Sequence, residues 1–169
     1  KKNDDEKLKI LKNHSIKFNN IINNLKKKNS EGITFIYSRF VEDSIEKLKE
    51  ILKCFGYHHI KKPSENLKKD GMNFVVLQGN DSKNIVPYIN LINGNDNKNG
   101  DKIKIILGTP AIDRGYSFFN VRSVHILEPW FNLSRINQII GRATRSFSHK
   151  QLEDSKQNVT IYLHSTMLT

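Results

Sequence analysis

Residues 135–150 read RINQIIGRATRSFSHK, in which Arg142 and Arg145 stand three positions apart behind an amphipathic run. Arginine is scarce here: of 28 Lys and Arg residues only six are Arg, and five of those six fall between Arg114 and Arg145. A rigid, forked, permanently charged guanidinium binds a carboxylate or phosphate in a bidentate way that lysine cannot match. Arginine concentrated in one region therefore marks a place where an oxyanion is to be held. On a helix over 133–147, at about 100° per residue, Ser134, Arg135, Gln138, Gly141, Arg142 and Arg145 share an arc of roughly 120°. Leu133, Ile136, Ile139, Ile140, Ala143 and Phe147 take the opposite side, which suits packing on a sheet. Gly141 within the polar arc costs the helix about 1 kcal/mol relative to Ala, which suggests that another group approaches the backbone closely. The alternatives are a basic, solvated helix face and a pair of arginines held in a salt-bridge network.

The elements that must position this helix follow from hydrophobic spacing. Residues 7–28 read as one helix, with Ile10, Leu11, Phe18, Ile21, Ile22 and Leu25 at helical spacing. GITFIYS (32–38) and NFVVLQG (73–79) are short, β-branched and aromatic runs, hence buried strands. Residues 41–55 and 83–92 read as helices, and NGNDNKNGD (93–101) as a loop. KIKIILGT (102–109), VRSVHILEP (121–129) and NVTIYLH (158–164) complete a set of five strands. Strands alternating with helices predict an α/β domain, a mainly parallel sheet with helices on both faces. The helix of the two arginines follows a strand that ends at Pro129, so it starts at the carboxyl edge, where open α/β sheets bind ligands. Cys54 is expected at the buried end of a helix, His125 as a core histidine, and the lysine-rich run 61–69 at the surface. One domain over 1–169 is expected, with 1–30 as a helical lead-in and no internal repeat.

A net charge of +11 and a pI near 9.7 favour a polyanionic partner such as DNA or RNA. Lysines scattered without a binding face are the alternative. No apolar run approaches the 18 or so residues of a membrane span, and KKNDDEKLKI lacks the apolar core of a signal peptide. A chain that begins with Lys is expected to be part of a longer one. The single cysteine excludes an internal disulfide and any multi-cysteine metal site. With no clustered His, Cys or acidic residues, no metal held by this chain alone is expected. The N-x-[ST] matches at Asn132 and Asn158 are read as chance. The composition points to an intracellular, cytoplasmic protein.

Three motifs then carry a resemblance. QIIGRATR is similar to motif VI of superfamily 2 helicases, the Q-x-x-G-R-x-x-R pattern; LGTPAIDRGYSF (107–118) resembles motif V, and TFIYSRF (34–40) motif IV. They stand in the order and spacing of the second RecA-like domain. The stretch VRSVHILEPWFNLSRINQIIGRATRSFSHKQL, with NVTIYLH behind it, looks most like the helicase-like ATPases of nucleocytoplasmic large DNA viruses, a group that includes the small subunit of the poxvirus early transcription factor. The resemblance covers nearly the whole chain from about Ser15 and is most specific between Lys102 and His149.

What the resemblance implies is a RecA-like fold and half of an ATP site. In such enzymes ATP binds between two RecA-like domains, the first of which supplies the phosphate-binding loop and the acid that holds Mg²⁺. This chain has no G-x-x-x-x-G-K-[ST] and no G-x-G-x-x-G, so its expected share is motif VI: Arg145 as the arginine finger on the γ-phosphate, Arg142 on the same phosphate region, Gln138 positioning both, and Gly141 giving close access. In motif V, Thr109 would donate to a nucleic-acid phosphate, or cap the turn after its strand, and Gly115 would admit the ribose. Asp113 on the ATP side and Arg114 on the nucleic-acid side lie between the two ligands. The family commonly carries an acid two positions after that glycine, where this chain has Ser117. Ser38 and Arg39 of motif IV, with Gly79 and Asn80 at an equivalent strand end, would contact the nucleic-acid backbone. Trp130 and Phe131 either stack on a base or pack the loop before the motif VI helix. The implied partners are DNA or RNA, the N-terminal RecA-like domain of the same chain, and a viral RNA polymerase. The implied activity is an ATP-dependent helicase or translocase, with this segment inactive alone. The alternative is a RecA-like scaffold that binds nucleic acid or polymerase without hydrolysis.

Overall fold

A computed structural model of the protein describes residues 3–27, 31–68, 71–78, 82–110, 112, 115–129 and 132–165, the side chains of 82–84 excepted. Among these residues six strands form one parallel sheet in the order β2-β3-β4-β1-β5-β6: β1 (Ile33–Tyr37), β2 (His58–His59), β3 (Asn73–Leu77), β4 (Ile105–Gly108), β5 (Val121–Ile126) and β6 (Thr160–Leu163). All five ladders are parallel. Both faces of the central strands are covered, which is why β1 reads ITFIY without a polar alternation and is buried throughout. Ile33, Phe35, Tyr37, Val75, Leu77, Ile106, Val124 and Ile126 point to one face, under α4 (Ser82–Asn93) and α5 (Leu133–Gly141). Ile36, Phe74, Ile105 and Leu107 point to the other, under α2 (Ile16–Lys26) and α3 (Lys47–Cys54).

The parallel α/β architecture expected from the sequence is present, with four local corrections. The lead-in is two helices, α1 (Asp4–His14) and α2, because Ser15 is extended (φ −158°, ψ 106°). Its N–H closes α1 on Leu11 O at 2.7 Å, and its hydroxyl caps α2 by accepting from Phe18 N–H at 3.3 Å. β2 is a sixth strand; two residues of pairing to Asn73 and Phe74 are too short to leave a periodic pattern. The helix over 41–55 begins as a π-helix, Val41–Glu46, before α3. Cys54 is exposed, since Leu48 and Leu52 supply the buried side of α3. The expected histidine of the core is there: His125 is 1% exposed.

Candidate functional site

Parallel pairing brings the carboxyl ends of β1, β4 and β5 together, with Tyr37 in register with Gly108 on one side and Ile126 on the other. Ser38 follows β1 and is wholly buried. Its hydroxyl donates to Glu128 Oε2 at 2.6 Å and accepts from Phe40 N–H at 3.0 Å. Glu128, two residues beyond β5, also accepts from Ser44 Oγ at 2.8 Å and lies 3.7 Å from Lys17 Nζ. Thr109 follows β4, is 2% exposed, and turns its hydroxyl back onto Leu77 O at 2.9 Å. Arg39 is exposed, with its guanidinium 4.5 Å from the centre of the Phe40 ring. Glu128, Ser44 and Lys17 carry no motif; the signal for Glu128 was its place just past a strand end.

The helix of the two arginines is shorter than its spacing predicts. It is N-capped by Asn132, whose Oδ1 accepts from Arg135 N–H at 3.3 Å, and it ends at Gly141 rather than 147. Its last turn tightens, with Arg142 N–H to Ile139 O at 3.1 Å and Ala143 N–H to Ile140 O at 2.9 Å. Arg142 O, which a longer helix would need, instead accepts Phe118 N–H at 2.8 Å. Ile136, Ile139 and Ala143 are buried as expected, but Leu133 is 68% exposed and Phe147, at φ +65°, is 83% exposed; neither packs on the sheet. Nine helical residues separate the carboxyl edge from this end, about 13 Å at 1.5 Å per residue. Arg142 and Arg145 are therefore at the far end of α5 and not, as expected, at the carboxyl edge.

At that far end the motif V loop and the motif VI turn are joined by main chain. Gly115 adopts φ +99°, a conformation that favours glycine. After it, Asn93 donates to Ser117 O at 2.9 Å and accepts Phe119 N–H at 2.8 Å. Phe118 buries its ring 5.0 Å from that of Phe35. Asn120, buried at φ +58°, donates its N–H to Ser148 O at 2.9 Å and its amide to Gln151 Oε1 at 2.7 Å. His149 Nε2 donates to Val121 O at 2.6 Å, which leaves Nδ1 to accept from Ser148 Oγ at 2.9 Å. Gly115, Arg142 and Arg145 thus share one scaffold, while Arg145 and Gln138 are exposed. Among the described residues a Cβ on Gly141 or Gly115 would meet nothing within 4 Å, so no packing among them requires either glycine. Asn93, Phe118, Asn120, Ser148 and His149 were not singled out by sequence for this role. Asp113, Arg114, Gly79, Asn80, Trp130 and Phe131 lie outside the described residues.

His125 sits between the two regions, on β5. Its Nδ1 shares a hydrogen bond with His164 Nε2 at 2.9 Å, and its ring stacks 4.5 Å from that of Tyr162. Burial, and then the neighbouring His164, push its pKa down to about 3, so it is a neutral core group at ordinary pH. Among the described residues no group of three or more His, Cys, Asp or Glu is placed to hold a metal ion. No helix among them is long and apolar enough to cross a membrane.

The helicase conserved C-terminal domain family matches residues 16–147. The chain is 36% identical over 163 residues to a protein of Acanthamoeba polyphaga mimivirus provisionally named an ATP-dependent RNA helicase, covering 95% of this chain and 28% of that one. Over 74 residues it is 36% identical to the early transcription factor large subunit homolog of African swine fever virus, 44% of this chain and 6% of the viral protein. The chain accordingly spans less than a third of these relatives. The C-terminal part of the Fun30 ATPase domain has a similar fold, at a TM-score of 0.61 and 19% identity over 95% of this chain and 50% of that one. Fold, motif order and family match agree: the chain belongs to the helicase conserved C-terminal domain family, with the RecA-like α/β fold of superfamily 2.

Proposed function

We propose that this chain is the C-terminal motor half of a nucleic-acid-dependent ATPase, supplying the arginine finger and part of the nucleic-acid track. The observation that carries the reading is Arg145. Its main chain is held by Ser148 N–H at 3.0 Å, in a turn tied to the Gly115 loop, while its side chain is exposed. A guanidinium on a fixed base, projecting outward, suits an anion brought by another domain. ATP with its Mg²⁺ would supply the phosphoryl group; Arg145, Arg142 and Gln138 would bear on the phosphates, with Gly141 and Gly115 leaving room for the nucleotide. Charge developing on the transferred phosphoryl oxygens is what a finger stabilises, worth about 10³ to 10⁵ in rate in GTPases. By motif alone, Asp113 is assigned to the same cleft and Arg114 to the nucleic-acid side.

The nucleic-acid track is assigned to the carboxyl edge, to Arg39 with the loops that begin at Ser38, Gly79 and Thr109. Backbone phosphates are its target, which the charge of +11 supports. The preceding RecA-like half of the longer chain is the obligatory partner, so this segment alone turns over no ATP. The likeness to an early transcription factor subunit supports a role in viral transcription, with a viral RNA polymerase as a further partner, inside the infected cell. A non-hydrolysing scaffold is the second reading, favoured by Ser117 in place of the family's acid.

The test is nucleic-acid-stimulated ATPase of the full-length chain, wild type against Arg145→Ala. Collapse of turnover with nucleotide binding kept supports the finger. Unchanged turnover assigns the arginines to structure or polyanion binding, and an inactive wild type moves the protein to the scaffold class.

A further inference from the structure

The hydroxyl that motif IV was expected to offer to nucleic acid is already engaged within the fold. Ser38 is fully buried, and its one hydrogen goes to Glu128 Oε2 at 2.6 Å. A second hydroxyl reaches the same carboxylate from a different element: Ser44, 7% exposed, donates to Oε1 at 2.8 Å. It does so from within the π-helix, whose wider turn is registered by Ile45 N–H to Phe40 O at 3.3 Å, a five-residue step. π-turns are uncommon and recur at functional sites; here the widening buries both Ser44 and Ile45. Lys17, from α2, completes the set, 3.7 Å from Oε1, while donating to Leu127 O at 2.7 Å.

Glu128 therefore pins both ends of one short loop, Ser38 before it and Ser44 after it. Ser38 also takes Phe40 N–H, which fixes the loop's tip. What this clamp leaves outside is a paired surface: exposed Arg39 and Phe40, the latter residue 44% exposed, with the Arg39 guanidinium over its ring at 4.5 Å from the centre. A flat π-face carrying a cation suits a nucleobase stacked above it and a phosphate beside it.

We infer that Phe40 is a stacking contact for a nucleic-acid strand at the carboxyl edge, and that Glu128, through Ser38 and Ser44, is the positioning residue that presents it. The inference rests on the nucleic-acid reading above. It transfers the motif IV contact from the Ser38 hydroxyl to the Arg39–Phe40 pair. A stacked aromatic tolerates every base, so the contact is indifferent to sequence.

The test measures binding of a fluorescently labelled single-stranded oligonucleotide to the full-length chain by anisotropy, without ATP. Wild type is compared with Phe40→Ala, Glu128→Ala, Glu128→Gln and the double alanine variant, each checked for folding by its melting curve. Phe40→Ala, at an exposed site, is expected to melt like wild type and to raise Kd roughly tenfold. Glu128→Ala is expected to raise Kd by a similar factor, and the double variant by little more than either, because both remove one contact. Glu128→Gln keeps an oxygen for one serine and an amide for the other, and is expected to bind within about twofold of wild type. Unchanged binding by Phe40→Ala overturns the stacking contact. Fully multiplicative effects in the double variant overturn the positioning role. A wild type that binds no oligonucleotide overturns the nucleic-acid reading itself, and this proposal with it.

Discussion

At the carboxyl edge of the sheet polar side chains are spent inside the protein: Glu128 gathers Ser38 and Ser44, and Thr109 turns onto Leu77 O. About one helix length away the arrangement is inverted. There the main chain does the holding, Phe118 N–H to Arg142 O and Asn120 N–H to Ser148 O, and the side chains of Arg145 and Phe147 stand exposed. Two residues at that end, Asn120 and Phe147, also take positive φ (58° and 65°), which costs a residue with a Cβ of order 1 kcal/mol or more. A region with satisfied, buried hydroxyls works through shape, presenting a surface that hardly rearranges. A region held by its main chain keeps its charged side chains on offer to a group from outside the chain. On the function proposed above, the first region would serve as a fixed nucleic-acid track and the second would present its arginine to a phosphate.

The largest expected effect breaks the second region without touching its scaffold. Arg145→Ala in the full-length chain should lower nucleic-acid-stimulated turnover by roughly 10³-fold. Because the side chain is exposed, the urea midpoint should stay where it is. A comparable loss of stability would place Arg145 among the structural residues instead. Next in size is Phe118→Ala, which empties a fully buried site against Phe35. It should cost about 3–5 kcal/mol by denaturant unfolding; a cost under about 1 kcal/mol would mean that the loop is held by its main-chain bonds alone.

A third expectation concerns β5, which spans both regions. The folded-state pKa of His125, about 3, lies below the ordinary value of 6.5, because burial and then His164 disfavour its cation. The depressed value means that stability is fully present above about pH 6.5 and is lost as pH falls toward 3, while the unfolded chain takes up the proton. Between pH 7 and pH 5 this single group removes roughly 2 kcal/mol. Burial also lowers the pKa values of His164 and His59, which add in the same direction. His125→Gln should flatten the slope of urea midpoint against pH in that window, whatever it does to the midpoint itself. An unchanged slope would assign the acid sensitivity to the other histidines.

Much of the fold was legible in the sequence, little of this contrast was, and the failures have definite causes. Continuous apolar runs such as ITFIY and NFVVL announced strands buried on both faces, and three motifs in register announced the helicase family. Helix ends were misread because they are decided by partners distant in sequence. Nothing in GRATRSF says that Arg142 O is taken by Phe118 N–H, 24 positions earlier, so the helical spacing ran on to Phe147. Ser15 is different: its capping role is local, and a serine ahead of an apolar run is a recognised helix start, so the break between α1 and α2 was there to be read. The motif pattern placed Ser38 at a strand end but did not reveal that Glu128, 90 positions on, takes its hydroxyl. Sequence carried the family and the place of each motif on the sheet better than which side-chain atoms the fold leaves on offer.

The smallest expected effect decides whether that distinction holds at Thr109, where the sequence left two roles open. In the folded chain its hydroxyl donates to Leu77 O at 2.9 Å, and its own N–H reaches the same oxygen at 3.3 Å. Thr109→Val keeps the shape and the N–H, so Leu77 O is not orphaned. The loss should be about 1 kcal/mol of stability, that of one buried neutral hydrogen bond. If the hydroxyl is held as firmly as those of Ser38 and Ser44, the variant should bind a single-stranded oligonucleotide within about twofold of wild type at every salt concentration, because a neutral group releases no counterions. A roughly tenfold weakening, restored by Thr109→Ser, would mean that the hydroxyl leaves Leu77 for a phosphate when the strand arrives. The carboxyl edge would then contain one element that moves on binding, and only the Glu128 clamp would remain as fixed scaffold.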